Sequence, residues 1–264
     1  SSLQVSLKSF LFANGDDVFK NASSVLGNDS IRNYYTDGLI FTPNESPLPE
    51  RAGVGFLEQF KWKPAHDNTI DFLVGIQKEE GKEKEGILVK EGTGETISYK
   101  TLRLFVGSSA DPGYDNPRDT VLLEKELPKL SRPGVKRDYK PVLFNPKEFP
   151  DTMANICYRE LLEDTGTNQQ YISTDRSSEP IQDKSIVEMA YDPKQLPGWR
   201  WIPVRVRHDK TERFQRGIVG RTLNSDMVAE SVWNSIHEPI TETMIKTGSE
   251  NPSMEESLEL MNMT

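Results

Sequence analysis

Lys61 and Lys63 flank Trp62 in the stretch FKWKP, the first place along the chain where side-chain type and spacing suggest chemistry. On a strand, alternate side chains share a face, so the two ammonium groups stand together roughly 7 Å apart and Trp62 points the other way. Such a pair calls for an anion, although lysines also guard sheet edges against aggregation. A second array lies in IPVRVRHDKTER. Read as a strand, Arg205, Arg207 and Asp209 share one face, Val204 and Val206 take the other, and Lys210 sits just past the end. Guanidinium groups oriented by a neighbouring carboxylate form a rigid donor array suited to phosphate oxygens; a salt-bridged edge strand is the plainer alternative. A third candidate is Asp37, in the Asp37-Gly38 turn ahead of Leu39-Ile40-Phe41. A carboxylate there can hold a divalent cation, though Asp-Gly is also a common turn signal.

These side chains need elements to position them. The apolar residues fall in short β-branched and aromatic runs broken by Gly, Pro, Asn and Asp, which predicts an α+β, β-rich chain with few helices. DVFKNASSVLG reads as a short helix ending at Gly27, and LIF, FKWKP and TIDFLVGI read as strands. GILVKEGTGETISYKTLRLFVG reads as a hairpin around EGTGE, and a Pro-, Gly- and charge-rich stretch follows from Ala110 to Pro150. MANICYRELL, SIVEMAYDP and WRWIPVRVR supply further strands, so a five-stranded OB-type barrel elaborated by loops is expected. Beyond residue 222, Asn224 or Ser225 can cap a helix on which Val228, Val232 and Ile236 recur until Pro239.

The composition narrows the function. The chain has 264 residues, 28% charged and 35% hydrophobic, with a net charge of −9. That balance argues against a protein that coats nucleic acid non-specifically. Residues 199–221 are nonetheless strongly basic, so a bounded polyanion such as a nucleoside triphosphate or one RNA end is the expected partner. Cys157 is the single cysteine and there are three histidines, which leaves no internal disulfide and no zinc constellation. No stretch approaches the 18–20 apolar residues of a membrane span, and the first residues lack the pattern of a secretion signal.

The ordered strings carry a resemblance. TDGLIF, FKWKP and RVRHDKT resemble the fourth, fifth and sixth motifs of the covalent nucleotidyltransferases, in the form used by mRNA guanylyltransferases. LKSF at 7–10 is similar to the short lysine motif that precedes them, and NTIDFLV, PDTMANICYREL, IVEMAYDP and VWNSIHEPITETMIKTG resemble the multifunctional capping enzymes of large cytoplasmic DNA viruses. The resemblance implies the C-terminal part of a nucleotidyltransferase domain with an ATP-grasp-like antiparallel sheet at 1–75, an OB fold with a long insertion at 76–222, and a helical linker at 223–264. It implies mRNA 5′-capping by transfer of GMP from GTP, through a lysyl-GMP intermediate, to the 5′-diphosphate end of nascent RNA. By the same resemblance Lys61 and Lys63 hold the α-phosphate, Asp37 serves Mg²⁺ or Mn²⁺, Ile40 packs on guanine and Lys8 meets the base edge. Arg205 or Arg207, with Asp209 and Lys210, would meet the β- and γ-phosphates when the barrel domain closes. Neighbouring triphosphatase and guanine-N7 methyltransferase domains, and a place in the host cytoplasm or the virion, are further implications.

One departure stands out. The family's nucleophile lies in Lys-x-Asp-Gly, whereas Tyr35 takes the lysine position before Asp37-Gly38, the single Asp-Gly of the chain. A C-terminal fragment of a longer enzyme, inactive alone, is the expectation; a degenerate paralogue is the alternative. A non-catalytic OB-type module that stacks RNA bases on Tyr191, Trp199 and Trp201, or a polynucleotide ligase of the same superfamily, are the other readings.

Overall fold

A computed structural model of the protein describes residues 10–15, 17–27, 36–45, 59–89, 94–109, 139–220 and 222–250. Along the chain come α1 (Asp17–Gly27), β1 (Leu39–Phe41), β2 (Phe60–Trp62), a 3₁₀ turn at Ala65–Asp67 and β3 (Thr69–Ile76). The small ribbon of β4 (Lys78–Glu79) and β5 (Lys82–Glu83) leads into β6 (Glu85–Val89) and the long β7 (Thr96–Ser108). Then follow β8 (Lys140–Leu143), β9 (Ile156–Glu160), the ribbon of β10 (Leu162–Glu163) and β11 (Gln170–Tyr171), β12 (Ile186–Tyr191) and β13 (Trp201–Val206). Three helices close the described chain: α2 (His208–Gln215), α3 (Asp226–His237) and α4 (Glu242–Thr247). The molecule is α+β and sheet-rich, as the residue pattern predicts.

The chain divides into two compact units, Ser1–Asn68 with Glu238–Thr264, and Thr69–His237. In the first, β1 and β2 pair antiparallel with Leu39 opposite Trp62, Ile40 opposite Lys61 and Phe41 opposite Phe60. Thr241 caps α4 by accepting a bond from the Met244 amide, and Gly248 ends it in the left-handed region at φ +74°. Glycine is required there: a Cβ would lie 2.7 Å from the Phe19 ring of α1.

The second unit is built on one antiparallel sheet in the order β13-β12-β3-β7-β6, with β8 and β9 also paired to β7. β7 spans thirteen residues, long enough to take β6 and then β3 along one edge and β9 and then β8 along the other. Period-two alternation sends Ile70, Phe72, Val74 and Ile76 of β3 into the main core, with Leu102, Leu104 and Val106 of β7 and Val187, Met189 and Tyr191 of β12. Trp201 and Trp233 fill its centre, Trp201 standing edge-on to Phe72 at 4.8 Å. The opposite face of β3 and β12 carries a smaller cluster of Leu73, Ile186 and Leu223, packed against Phe214 of α2. Burial of these side chains, at about 25 cal/mol per Å² of apolar surface, is what holds the sheet together.

The expected barrel is not present: among the described residues no ladder joins β9 to β13. The hairpin that bridges Ser173 to Pro180 occupies β13 instead. Its Asp175 amide donates to the Pro203 carbonyl at 2.8 Å, and its Glu179 carboxylate accepts from the Val206 amide at 3.0 Å. β9 meets the same region without a ladder, through the Tyr158 amide on the Gly198 carbonyl, the Cys157 thiol on the Trp201 carbonyl, and Arg159, which donates to the Ser173 carbonyl and the Asp175 carboxylate of that hairpin. With those backbone groups engaged, and with Pro203 unable to donate, a closing ladder has too few partners. The α3 helix also differs in detail from its sequence stripe. Ala229 and Trp233 are its buried residues, Val232 and Ile236 are half-buried, and Val228 is exposed.

Candidate functional site

In the first unit the β1–β2 ladder fixes where the charges stand. Gly38 runs at φ +147°, and a Cβ there would meet the Trp62 carbonyl oxygen at 2.0 Å, so only glycine lets the chain pass β2 this closely. That passage brings the Asp37 carboxylate onto the Lys63 ammonium as an ion pair. The Lys63 hydrogen bond outweighs the opposing effect of burial and, with the charges of Lys63 and Lys61, holds the Asp37 carboxyl below its ordinary value. Trp62 is buried, its indole N–H donating to the Ile240 carbonyl at 2.7 Å. Lys61 is exposed, directly opposite the half-exposed Ile40 across the ladder, and has no ion-pair partner among the described residues. As alternation expects, Trp62 faces inward and Lys61 outward, whereas Lys63 lies past the end of β2 and is half-buried.

In the second unit the cations lie on the outer face of β3, β12 and β13. Glu188 stands opposite Arg205 on one side and Asp71 on the other, so three strands place charge in one row. The Arg205 Nε donates to Glu188 Oε2 at 2.6 Å, and the Thr69 hydroxyl donates to Glu188 Oε1 at 2.9 Å. Burial alone would raise the Glu188 carboxyl, yet these two bonds hold it below its ordinary value. Arg207 is gripped at both ends, its Nη1 donating to Asp71 Oδ2 at 2.7 Å and its Nε and Nη2 donating to the Asp209 carboxylate at 3.3 Å. The Lys210 ammonium donates to the same Asp71 Oδ2 at 2.6 Å and to Asn224 Oδ1 at 3.4 Å. Buried Asp71 is thus shared by two cations.

The single strand expected for residues 204–209 is corrected. β13 stops at Val206, and Asp209 and Lys210 lie in the first turn of α2. The Ile186 amide donates to Thr211 Oγ1 at 2.9 Å and ties that turn to β12, which turns Lys210 back over Asp71 instead of along the strand. Two of the aromatic residues considered for base stacking are also removed from that role. Tyr191 and Trp201 are buried, and half-buried Trp199 packs edge-on against Tyr99 and Tyr158. His208 faces Glu179 at 3.0 Å, and His237 lies against Trp233 and Phe149. A concavity of about 520 Å³ lies beside Lys210, walled by Tyr139, Leu223, Asn224 and Val228. Lys8 and Tyr35 lie outside the described residues. Among those described, no cluster of three or more His, Cys, Asp or Glu side chains is arranged to hold a metal, and no helix is long and apolar enough to cross a membrane.

No family model matches the chain. Over 222 residues, 81% of its length, it is 28% identical to a protein named "Probable mRNA-capping enzyme" of Acanthamoeba polyphaga mimivirus. Over 254 residues, 91% of its length, it is 27% identical to the "mRNA-capping enzyme" of African swine fever virus, strain Badajoz 1971 Vero-adapted, and 26% identical to that of the isolate Warthog/Namibia/Wart80/1980. The chain is similar to viral mRNA-capping enzymes. It spans 16% of the mimivirus protein and 24% of the African swine fever virus proteins. The structure brings Arg207, Asp209 and Lys210 together at a strand-to-helix turn and adds Asp71, Glu188 and Thr69, which the sequence pattern misses. A signal for Asp71 and Glu188 does exist. Each is a lone carboxylate inside an apolar strand run, TIDFLV and IVEMAY, and a carboxylate in such a place needs a cation.

Proposed function

We propose that this chain is the phosphate- and metal-binding portion of a GTP:RNA guanylyltransferase in a viral mRNA-capping enzyme, acting inside the infected cell. The observation that carries the reading is the similarity of 81–91% of the chain to proteins so named, with the motif lysines and arginines held on defined elements. GTP is the substrate, and the 5′-diphosphate end of RNA receives GMP through a lysyl-GMP adduct. Lys61 and Lys63 neutralise the α-phosphate, where charge builds as pyrophosphate leaves. Ile40, half-exposed beside Lys61, lies against the guanine ring, and Lys8 serves the base edge. Arg205, Arg207 and Lys210 serve the β- and γ-phosphates, with Asp209 orienting the Arg207 guanidinium.

Asp37 fits a role toward Mg²⁺ or Mn²⁺. It is an exposed carboxylate kept ionised by Lys63, and Mg²⁺ is commonly held by one or two carboxylates together with substrate phosphates and water. The metal would supply charge neutralisation at the phosphates. Because Tyr35 stands where the nucleophilic lysine of the family would be, the chain alone binds GTP reversibly and forms no covalent adduct. Triphosphatase and methyltransferase domains are the partners the reading implies.

The test is equilibrium binding of labelled GTP with Mg²⁺ to the 264-residue chain, followed by acid precipitation. Saturable binding is expected, with no acid-stable label, and Lys61→Ala and Lys63→Ala each weaken it about 10- to 100-fold, the worth of one charge-assisted bond. Equal binding by both variants and the unaltered chain rejects the reading.

A further inference from the structure

Asp71 enters none of the roles assigned above, yet it is the most constrained ionisable side chain in the cationic row. It is 7% exposed, on β3, with its Oδ2 accepting from Arg207 Nη1 at 2.7 Å and from Lys210 Nζ at 2.6 Å. The two donors come from opposite sides of the β13–α2 junction. Arg207 follows the last residue of the strand, and Lys210 belongs to the first turn of the helix. One oxygen therefore fixes the spacing of a guanidinium and an ammonium that are three residues apart in sequence, one at the N-cap of α2 and the other in its first turn. Glu188, directly across the ladder from Asp71, is occupied by Arg205 and Thr69, so it is not available to replace it. Asn224 and Asp209 hold the same two cations by longer contacts, at 3.3–3.4 Å.

An ammonium has three donors and a guanidinium five. Lys210 uses two here and Arg207 three, so each keeps at least one N–H for a further acceptor. We propose that Asp71 is a positioning residue: it sets Arg207 and Lys210 at a fixed separation so that their remaining donors converge on adjacent phosphates of a polyphosphate. The inference rests on the reading of Arg207 and Lys210 as phosphate ligands and adds the residue that makes them act as a pair. Its sign is opposite to that of simple electrostatics. Removing a carboxylate beside an anion site raises the local positive potential and by Coulomb's law alone tightens anion binding. Releasing two long side chains into many rotamers weakens it, because the ordering must then accompany binding.

Inorganic tripolyphosphate is the probe, titrated into the 264-residue chain and into Asp71→Asn, Arg207→Ala, Lys210→Ala and Asp183→Asn. The last removes a carboxylate of the same unit that holds Lys78 and the Ile76 amide, away from the row. The expected result is at least a tenfold loss of affinity in Asp71→Asn, Arg207→Ala and Lys210→Ala and none in Asp183→Asn, with thermal melts showing each variant folded. Unchanged or tighter binding by Asp71→Asn, while Arg207→Ala and Lys210→Ala lose it, overturns the inference and leaves the phosphate-ligand reading standing. An equal loss in Asp183→Asn also overturns it, as a general structural effect. Unchanged binding by Arg207→Ala and Lys210→Ala removes the phosphate-ligand reading itself, and Asp71 with it. If Asp71→Asn does not fold, the side-chain ¹⁵N signal of Lys210 in the ligand-free chain decides. A slowly exchanging, ordered ammonium supports the pre-set pair, and a signal averaged with solvent until tripolyphosphate is added overturns it.

Discussion

At Gly38 the backbone passes so close to β2 that a methyl carbon would sit 2.0 Å from the Trp62 carbonyl oxygen. Everything chemical in the first unit depends on that passage, since it carries Asp37 onto Lys63 and sets Ile40 opposite Lys61. Gly38→Ala is expected to open the short β1–β2 ladder, at a cost of about 1–3 kcal/mol from backbone strain before the clash is counted. Faster amide hydrogen exchange at residues 39–41 and 60–62, with weaker GTP binding, is the readout. Glu179 offers a second residue-scale test. The Val206 amide, the Ser177 hydroxyl and His208 hold its carboxyl at about 2 instead of its ordinary 4.5. A depressed folded-state value means the carboxylate stabilises the fold fully above pH 4.5, and that contribution is lost as pH falls toward about 2. Acid unfolding followed by circular dichroism is expected to show this loss in the unaltered chain, with a flatter profile over the same window in Glu179→Gln.

Among the elements, strands were more legible than their neighbours. Alternation in FKWKP separates buried Trp62 from exposed Lys61, but it does not account for Phe60, which is exposed in the same strand, and Lys63 lies past the strand's end. The same rule, run past Val206, fails at Asp209. The turn into α2 is decided by a long-range bond, the Ile186 amide on Thr211, which no local pattern records. Asp209 is adjacent and visible, whereas Asp71 announces in its apolar run a need for a cation but not which one, since Arg207 and Lys210 lie 136 and 139 positions away in sequence. In α3 the valine stripe is visible, but the buried face belongs to Ala229 and Trp233, because Trp233 fills the space beside Trp201 and Tyr191. Its predicted cap is present, Ser225 Oγ accepting from the Val228 amide at 3.2 Å. Ser225→Ala is expected to lower the stability of the second unit by about 0.5–2 kcal/mol in urea unfolding, as loss of an N-cap does.

On the scale of the molecule, the second unit depends on one core, aromatic at its centre, reached from every strand of its sheet path except β6. Trp201 touches Phe72, Tyr191 and Trp233 by ring contacts and donates its indole N–H to the Ala154 carbonyl at 2.8 Å. Trp201→Ala is expected to cost about 3–5 kcal/mol, a large share of the 5–15 kcal/mol that domains typically possess, and a lowered urea midpoint would register it. That the expected OB-type barrel does not close was not legible in the sequence, because closure depends on which backbone groups remain unpaired. Here Asp175 and Glu179 take those of Pro203 and Val206. The thirteen-residue β7 carries a consequence for how the chain is made. On the ribosome its β3 and β6 partners precede it, so one edge is paired as soon as it emerges. The edge meant for β8 and β9 waits until residues 140–160 have been translated. During that delay a long strand, apolar mainly at Leu102, Leu104, Phe105 and Val106, offers open amides and carbonyls to any neighbouring nascent chain, a window in which chaperone occupancy matters more than the stability of the finished fold.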